Sequence, residues 1–498
     1  MKNNHQKIID YTIKLYDKLQ EERAPLENIW QQVVDYVRPQ RSLNPQSGGN
    51  SKEIYDATAS RSSEMLISGL WSLVNSSAGN WFGLKFSNKN LAQNEEALSW
   101  LSSANKLMKD NLSDASSGFY YKSYEFYADL VCFGTAIFYL GEDISNKKIV
   151  YQSEHLGKSF IHQTYHNIDT IVKSITMNTT QAVEFFGLDK LSNVIRKTYK
   201  EGKEDTHIFL HLTIPAKYFN DKLAIMKGMK FSSIYIDTED NSIVLQSGYY
   251  EFPYMIARWY TNSNQDYGQS PATISLPDIK MINAMSKTML IAAQKQIDPP
   301  ILAPNEASIQ GIKANPGGII YGGVDPLTGN QLIKPLMMGG DISNSHELQE
   351  QRREAIKEAF YYNLLLSNYK VNATATEVLT NEEQKLRILG PKIARIQTEF
   401  LYPLLKRLFA VMLRLNLFPQ TPCKISALDV EVDFFGPWDR YNNLSSSLGL
   451  NHLYSTMSNI NQYDAGIKDM VNWEEVMNLT VAGNGLPNNI INQKINKE

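Results

Sequence analysis

The chain has 498 residues, 43% of them hydrophobic and 20% charged, with a formal net charge of −3. That balance can bury a sizeable core and excludes wholesale disorder, while near-neutrality excludes a histone-like, free-standing DNA binder. The two cysteines, Cys132 and Cys423, have no CxxC spacing, which argues against a disulfide framework and fits a reducing cytosol. The opening MKNNHQKIIDYTIK lacks the apolar centre of a signal peptide. The longest apolar run, Leu130–Gly141, is too short to cross a bilayer and reads as a buried segment broken at Gly134. A soluble protein assembled in cytoplasm, without a membrane partner, is the expectation.

The N-terminal segment reads as helix. After Pro25, Leu26, Ile29, Trp30, Val33, Val34 and Val37 fall on one amphipathic face, and Arg38-Pro39 ends it. Arg41–Ser51 is a loop by composition. Further helices are expected over 57–74 and 95–112, and the aromatic-rich stretch 120–130 is helical core. From Ala136 to Tyr260 the period shifts towards two. Strands are predicted at 149–151, 159–164, 168–177, 206–214, 232–237 and 242–249, with one inserted helix over 181–186 opened by Asn178-Thr179-Thr180. The fold class is α+β and predominantly helical.

A long helix follows. Pro277 and Asp278 suit a first turn, no glycine or proline interrupts 279–297, and Asp298-Pro299-Pro300 stops it. Asp298–Gly340 is rich in glycine and proline and reads as a small turn-rich knob with short strands such as Gly318–Tyr321. Asn344 with Glu347 forms the pattern of a capping box for a second helix, from Glu347 to about Leu365. A polar interruption, Ser367–Ala373, precedes a second such box at Thr374 and Glu377. The helical run it opens extends to about Leu417, with a kink expected at Gly390-Pro391. A strand over 429–435 and helical segments near 444–457 and 473–479 complete the chain. Two antiparallel helices with a glycine-rich head cannot bury both faces alone, so a ring of identical neighbours is expected.

These stretches carry a resemblance. YDATA (Tyr55–Ala59), NWFGLKF (Asn80–Phe86), DLVCFGTAIFYLGED (Asp129–Asp143), VKSITMNTTQAVEFFG (Val172–Gly187), YGQSPA (Tyr267–Ala272), AAQKQIDPPIL (Ala292–Leu302), ATATEV (Ala373–Val378) and LGPKIARIQTEFLYPLLKRLF (Leu389–Phe409) occur in order over about 400 residues. Together they resemble the portal (head-to-tail connector) proteins of short-tailed bacteriophages. The resemblance implies an elongated subunit closing into a cyclic homo-oligomer, typically a dodecamer, at one capsid vertex. It implies an α/β wing over 1–271, a first stem helix over 272–297 and a small α/β clip over 298–340. A second stem helix over 341–365, a tunnel loop over 366–374, a long kinked wing helix with returning strand over 375–440, and a helical crown and tail over 441–498 follow. The implied partners are double-stranded DNA, read without sequence specificity, a large terminase ATPase, major capsid and scaffold proteins, and tail adaptor or tube proteins. Double-stranded DNA would be packaged, retained and ejected through the ring.

Catalytic signals are missing. No P-loop or G-x-S-x-G occurs, so ATP hydrolysis is expected of a separate partner, and no cofactor is predicted. His207 and His211 read as one strand, where residues four apart stand roughly 13 Å apart, too far to share a metal. His162 and His166 read as strand–turn–strand. The residues singled out instead are charged. Lys280, Lys287 and Lys295 fall within an arc of roughly 80° on the first long helix, and face a channel, a neighbour's acids or solvent. Glu350, Glu354 and Glu358 form a stripe beside Arg353 and Lys357 on the second. Asn368, Tyr369, Lys370 and Asn372, in the place of the tunnel loop, are the candidates for DNA proximity. The rival readings are another structural protein of the same particle, such as a tail-tube adaptor, and a cytosolic enzyme with an unrecognised site.

Overall fold

The structure, a computed structural model, describes residues 2–39, 53–75, 81–164, 167–218, 228–262, 265–302, 324–325, 327–336, 342–366, 375–422, 425–435 and 476. The elements in order are α1 (Lys2–Tyr36), α2 (Thr58–Asn75), β1 (Phe82–Phe86), α3 (Lys89–Ala92), α4 (Glu95–Ser113), α5 (Phe119–Phe133), β2 (Thr135–Asp143) and β3 (Lys148–Glu154). Then come β4 (Ser159–Gln163), β5 (Ile168–Asn178), α6 (Thr179–Phe186), α7 (Asn193–Lys200), β6 (Thr206–Pro215), β7 (Phe231–Asp237), β8 (Ser242–Tyr249) and β9 (Tyr254–Arg258). The remainder is α8 (Pro271–Ile274), α9 (Leu276–Ile297), β10 (Ile301–Leu302), β11 (Lys334–Pro335), α10 (Ile342–Ala359), α11 (Tyr362–Leu366), α12 (Ala375–Ile396), α13 (Tyr402–Arg414) and β12 (Val430–Phe434). The fold is mixed α+β, as its alternating periods predict.

Strands β4 to β8 form an antiparallel meander, and the period-two alternation of β6 decides what covers each face. Leu210, Leu212 and Ile214 point to one side, where Ile8, Ile9, Leu15 and Leu19 of α1 cover them. Phe209 points to the other and packs with Ala182, Phe186 and Ile195 of α6 and α7. Asn178 closes a capping box with Gln181 and opens α6, as expected. Helix α7, which periodicity did not reveal, is capped by Ser192. Helix α1 runs through Pro25 without ending. It is pinned there by the buried Arg23, which donates at 2.8 Å to the carbonyls of Leu156, Gly157 and Ser159 and lies 3.5 Å from the Phe160 ring centroid.

The larger core gathers α2, α4, α5, β2, β9 and α13. Its centre is aromatic: Phe126 stacks on Phe400 with centroids 4.0 Å apart, and Phe119 and Phe138 meet edge to face. Strand β2 lies between β3 and β9 in a three-stranded antiparallel sheet, and β1 pairs with β12 from the far end of the chain. The buried Arg407 of α13 donates to the carbonyls of Leu140 and Glu251 at 2.9 and 2.8 Å, fixing that helix against the sheet.

Two sequence expectations change. Helix α10 begins at Ile342, so Asn344 lies inside it and is not its cap; the segment already turns helically before the presumed box. The single helix expected to Leu365 breaks at Tyr361, whose φ of 55° separates α10 from α11. That break lets both Phe360 and Leu365 stay buried. The helical run continues through Gly390-Pro391, which α12 carries inside it, and a π-helical turn over Gln397–Leu401 leads into α13. The strand Gly318–Tyr321, Thr374 and the C-terminal segments lie outside the described residues, except that Val476 is helical and buried.

Candidate functional site

Helices α9 and α10 form an antiparallel hairpin in which α9 is buried only at its root. Leu276, Ile279 and Ile282 are the only fully buried described residues of α9. Beyond them Leu290, Ile291 and Ile297 are 49, 41 and 85% exposed. Asp278 in the first turn of α9 receives Arg352 of α10 at 2.9 Å, and the Gln349 amide contacts the Met289 sulfur.

A short segment from the other end of the chain straps the two helices together. The Tyr55 N–H donates to Asn283 Oδ1 at 2.7 Å, and Asn283 Nδ2 donates back to the Glu53 carbonyl at 3.3 Å. The Lys287 ammonium lies 5.3 Å from the Tyr55 ring centroid. Asp56 accepts the Thr58 N–H at 2.9 Å at the start of α2 and Arg353 Nε of α10 at 3.0 Å. Burial alone would raise the Asp56 carboxyl, but the Thr58 bonds and the Arg353 guanidinium outweigh it and hold the group below its usual range. The strap therefore touches α9, α10 and α2 within four residues.

A second joint sets where α9 starts. Gly134 ends α5 in the left-handed region at φ +79°, and a Cβ there would lie 2.4 Å from the Gln269 carbonyl carbon. A Cβ on Gly268 would lie 2.4 Å from the Gly134 oxygen. Backbone meets backbone, so neither position admits a side chain. The Gly268 N–H donates to Thr135 Oγ1 at 2.8 Å, and Ser270 both donates to the Cys132 carbonyl at 2.7 Å and caps α8. Two separate sequence signatures, CFGTA and YGQSPA, thus interlock immediately before the hairpin.

Of the residues predicted from sequence, Lys280, Lys287 and Lys295 are exposed on α9, on the side away from the buried Ile282. Arg353 is committed within its own chain, to Asp56 and Glu350, and Lys357 bonds Glu354 at 2.7 Å. Asn363 also donates to Glu354, and Glu358 is exposed. Asn368, Tyr369, Lys370 and Asn372 lie outside the described residues. Sequence reasoning assigned no role to Glu53, Asp56 or Asn283. The available signal was a polar Asn283 beside the apolar Ile279 and Ile282 on one helix face.

Residues 10–491 match the family described as bacteriophage head to tail connecting protein. The chain belongs to that family. It is 25% identical over 467 residues to the portal protein of Salmonella phage epsilon15, covering 90% of this chain and 82% of that one. It is 27% identical over 433 residues to a probable portal protein of Bordetella phage BPP-1, covering 84% and 77%. Among solved structures, the neck of a native gene transfer agent particle computed with C12 symmetry aligns over 86% of this chain and 90% of that one, at 12% identity and a TM-score of 0.39. The role of this connector is structural, that of a portal protein.

The ionisable groups inside the connector are arranged for packing. His207 contacts Glu239 at 2.6 Å and Thr179 at 3.1 Å; His211 contacts Ser233 at 2.8 Å and stacks on Tyr235 with centroids 4.0 Å apart. Burial pushes the His211 imidazole well below its ordinary pKa. Burial likewise pushes the Cys132 thiol up to about 12, which makes it a poor nucleophile. Among the described residues no cluster of three or more metal-ligating side chains forms, and no helix is long and apolar enough to cross a membrane.

Proposed function

We propose that copies of this chain close into a ring at one capsid vertex, through which double-stranded DNA is packaged, held and released. The hairpin α9/α10 is the stem of that ring, residues 298–340 its clip, and 366–374 its tunnel loop. The observation that carries the ring is the hairpin itself. Its root is anchored on three sides by its own chain, yet α9 beyond Ile282 keeps Leu290, Ile291 and Ile297 exposed. A helix so placed gains stability only by packing against something else. Identical neighbours supply that packing through a heterologous, ring-closing contact. A net charge of −3 suits a conduit, because many phosphate contacts would hold DNA too tightly to slide.

Lys370, with Asn368, Tyr369 and Asn372, is proposed to approach the phosphates, because the segment lies between α11, which follows the stem's second helix, and α12. The terminase ATPase, capsid and scaffold proteins and tail proteins are the proposed docking partners, with assembly in host cytoplasm. Electron microscopy of the purified full chain tests the ring: closed annuli with a central hole are expected, and a monomer or dimer at micromolar concentration overturns it. A Lys370→Ala variant that assembles and packages and retains DNA like wild type removes the loop assignment.

A further inference from the structure

The hairpin carries opposite charge on its two outer flanks. On α9 the exposed Lys280, Lys287 and Lys295 face away from Ile282, Lys287 lying against the Tyr55 ring of the strap, and Met281 and Ile291 are exposed beside them. On α10, Glu347, Glu354 and Glu358 are all exposed. At 100° per residue they fall within an arc of about 40°, opposite the buried Gln349, Ile356 and Phe360. One flank is cationic and the other anionic.

The heights of these charges also agree. Arg352 reaching Asp278 and Gln349 reaching Met289 bracket the register of the antiparallel pair. A register midway between those contacts sets Lys280 level with Glu354 and Lys287 level with Glu347 to within about one helical turn. Both pairs of like charges are seven residues apart, about 10.5 Å along their helices.

We infer that the lysine flank of one stem seats on the glutamate flank of the next copy, Lys280 facing Glu354 and Lys287 facing Glu347. This rests on the ring proposed above and names its stem contact. A rotation about an axis along the hairpin keeps every height unchanged, so one operation pairs both charges in every subunit. A polyanion on the lysine flank would leave the glutamate flank uncovered, and Met281 and Ile291 beside the lysines suit a protein surface better than phosphate. Glu354 already accepts from Lys357 and Asn363, but a carboxylate has acceptor sites for a third donor.

The test is native mass spectrometry and electron microscopy of the full chain at fixed concentration and low salt. The reversals Lys280→Glu with Lys287→Glu, and Glu347→Lys with Glu354→Lys, should each lower the ring fraction about tenfold or more, since like charges then face each other. Combining all four should restore it to within about twofold of wild type. Where a reversal loses helix content by circular dichroism, the neutral pair Lys280→Gln and Lys287→Gln replaces it. About a threefold loss and a flatter salt dependence are then expected. Wild-type rings with unaffected or unrescued reversals overturn the pairing and leave the ring standing; absence of wild-type rings overturns the ring itself. Reversed lysines that form normal rings but alter DNA retention assign that flank to DNA and overturn the inference.

Discussion

Asp56 and Arg353 meet at 3.0 Å although 297 residues of chain separate them. The Asp56 side chain is only 5% exposed, and its other oxygen takes the Thr58 N–H that begins α2. One carboxylate therefore joins the N-terminal strap, the first core helix and the second hairpin helix. Rigid attachment at this root is what allows a hairpin exposed over most of its length to present a defined surface.

Replacing Asp56 by Ala leaves Arg353 partly buried with only Glu350, and leaves the Thr58 N–H without its acceptor. We expect a loss of about 2–3 kcal/mol. The sign of the pH effect follows from the lowered carboxyl. Its stabilisation is complete above the unfolded value near 3.8 and disappears as pH falls through the lower folded value. Thermal melts of wild type and Asp56→Asn should differ at pH 7 and draw together as pH falls progressively below 3.8. A difference that stays constant as the carboxyl is titrated would remove the charge from the explanation.

Gly134 and Gly268 predict a harsher outcome. A methyl at either lies 2.4 Å from opposing backbone, which cannot rotate aside, and Gly134 also has φ +79°. Gly134→Ala and Gly268→Ala should each cost about 3 kcal/mol or more and lower soluble yield. Ser270→Ala, which removes a cap and one bond to Cys132, should cost about 1–2 kcal/mol. Chemical denaturation ranks the three, and a Gly268→Ala as mild as Ser270→Ala would mean that the two loops can separate.

Helix α9 was legible because proline and aspartate mark its start and Asp298-Pro299-Pro300 its end, all local signals. The meander was legible for the same reason, through alternation in β6 and the Asn178 cap. The second hairpin helix was misread at both ends. Asn344 and Glu347 match a capping pattern, but the helix already begins at Ile342, although Ser343, Asn344 and Ser345 are weak helix formers. The break at Tyr361 has no proline or glycine to announce it; its φ of 55° is supported by a contact of its hydroxyl with Tyr260 at 3.2 Å. The strap was invisible because its partners lie 228 and 297 residues away. The signature YDATA marked the right residues without revealing what they hold.

His211 gives a prediction in the mildly acidic range. It is buried, stacked on Tyr235 and bonded to Ser233, and burial keeps it neutral well below pH 6.5. The unfolded chain binds a proton there that the folded chain refuses. Stability should therefore fall as pH drops below about 6.5, by up to about 1.4 kcal/mol per pH unit from this group. His211→Phe should remove that slope even where it lowers stability at pH 8. An unchanged slope between pH 6.5 and 5 assigns the proton uptake elsewhere.

Glu399 explains why the long C-terminal helix departs from α geometry. Strand β9 is the edge of its sheet, so the outward N–H of Arg258 has no strand to bond. The Glu399 carboxylate takes that N–H at 2.8 Å and the Arg258 guanidinium at 3.2 Å. Glu399 sits within the π-helical turn Gln397–Leu401, where the wider winding redirects side chains relative to an uninterrupted helix. Phe400, in the same turn, stacks on Phe126 in the core. The turn thus turns one residue to the sheet edge and the next to the core, a division that the surrounding α geometry would shift. Glu399→Ala should cost about 2 kcal/mol and accelerate hydrogen exchange at the Arg258 amide about tenfold or more, with little change in the centre of β5 or β6. Glu399→Gln, which keeps one acceptor oxygen, should retain part of that protection. Equal exchange in wild type and Glu399→Ala would show that the edge amide is protected by packing alone.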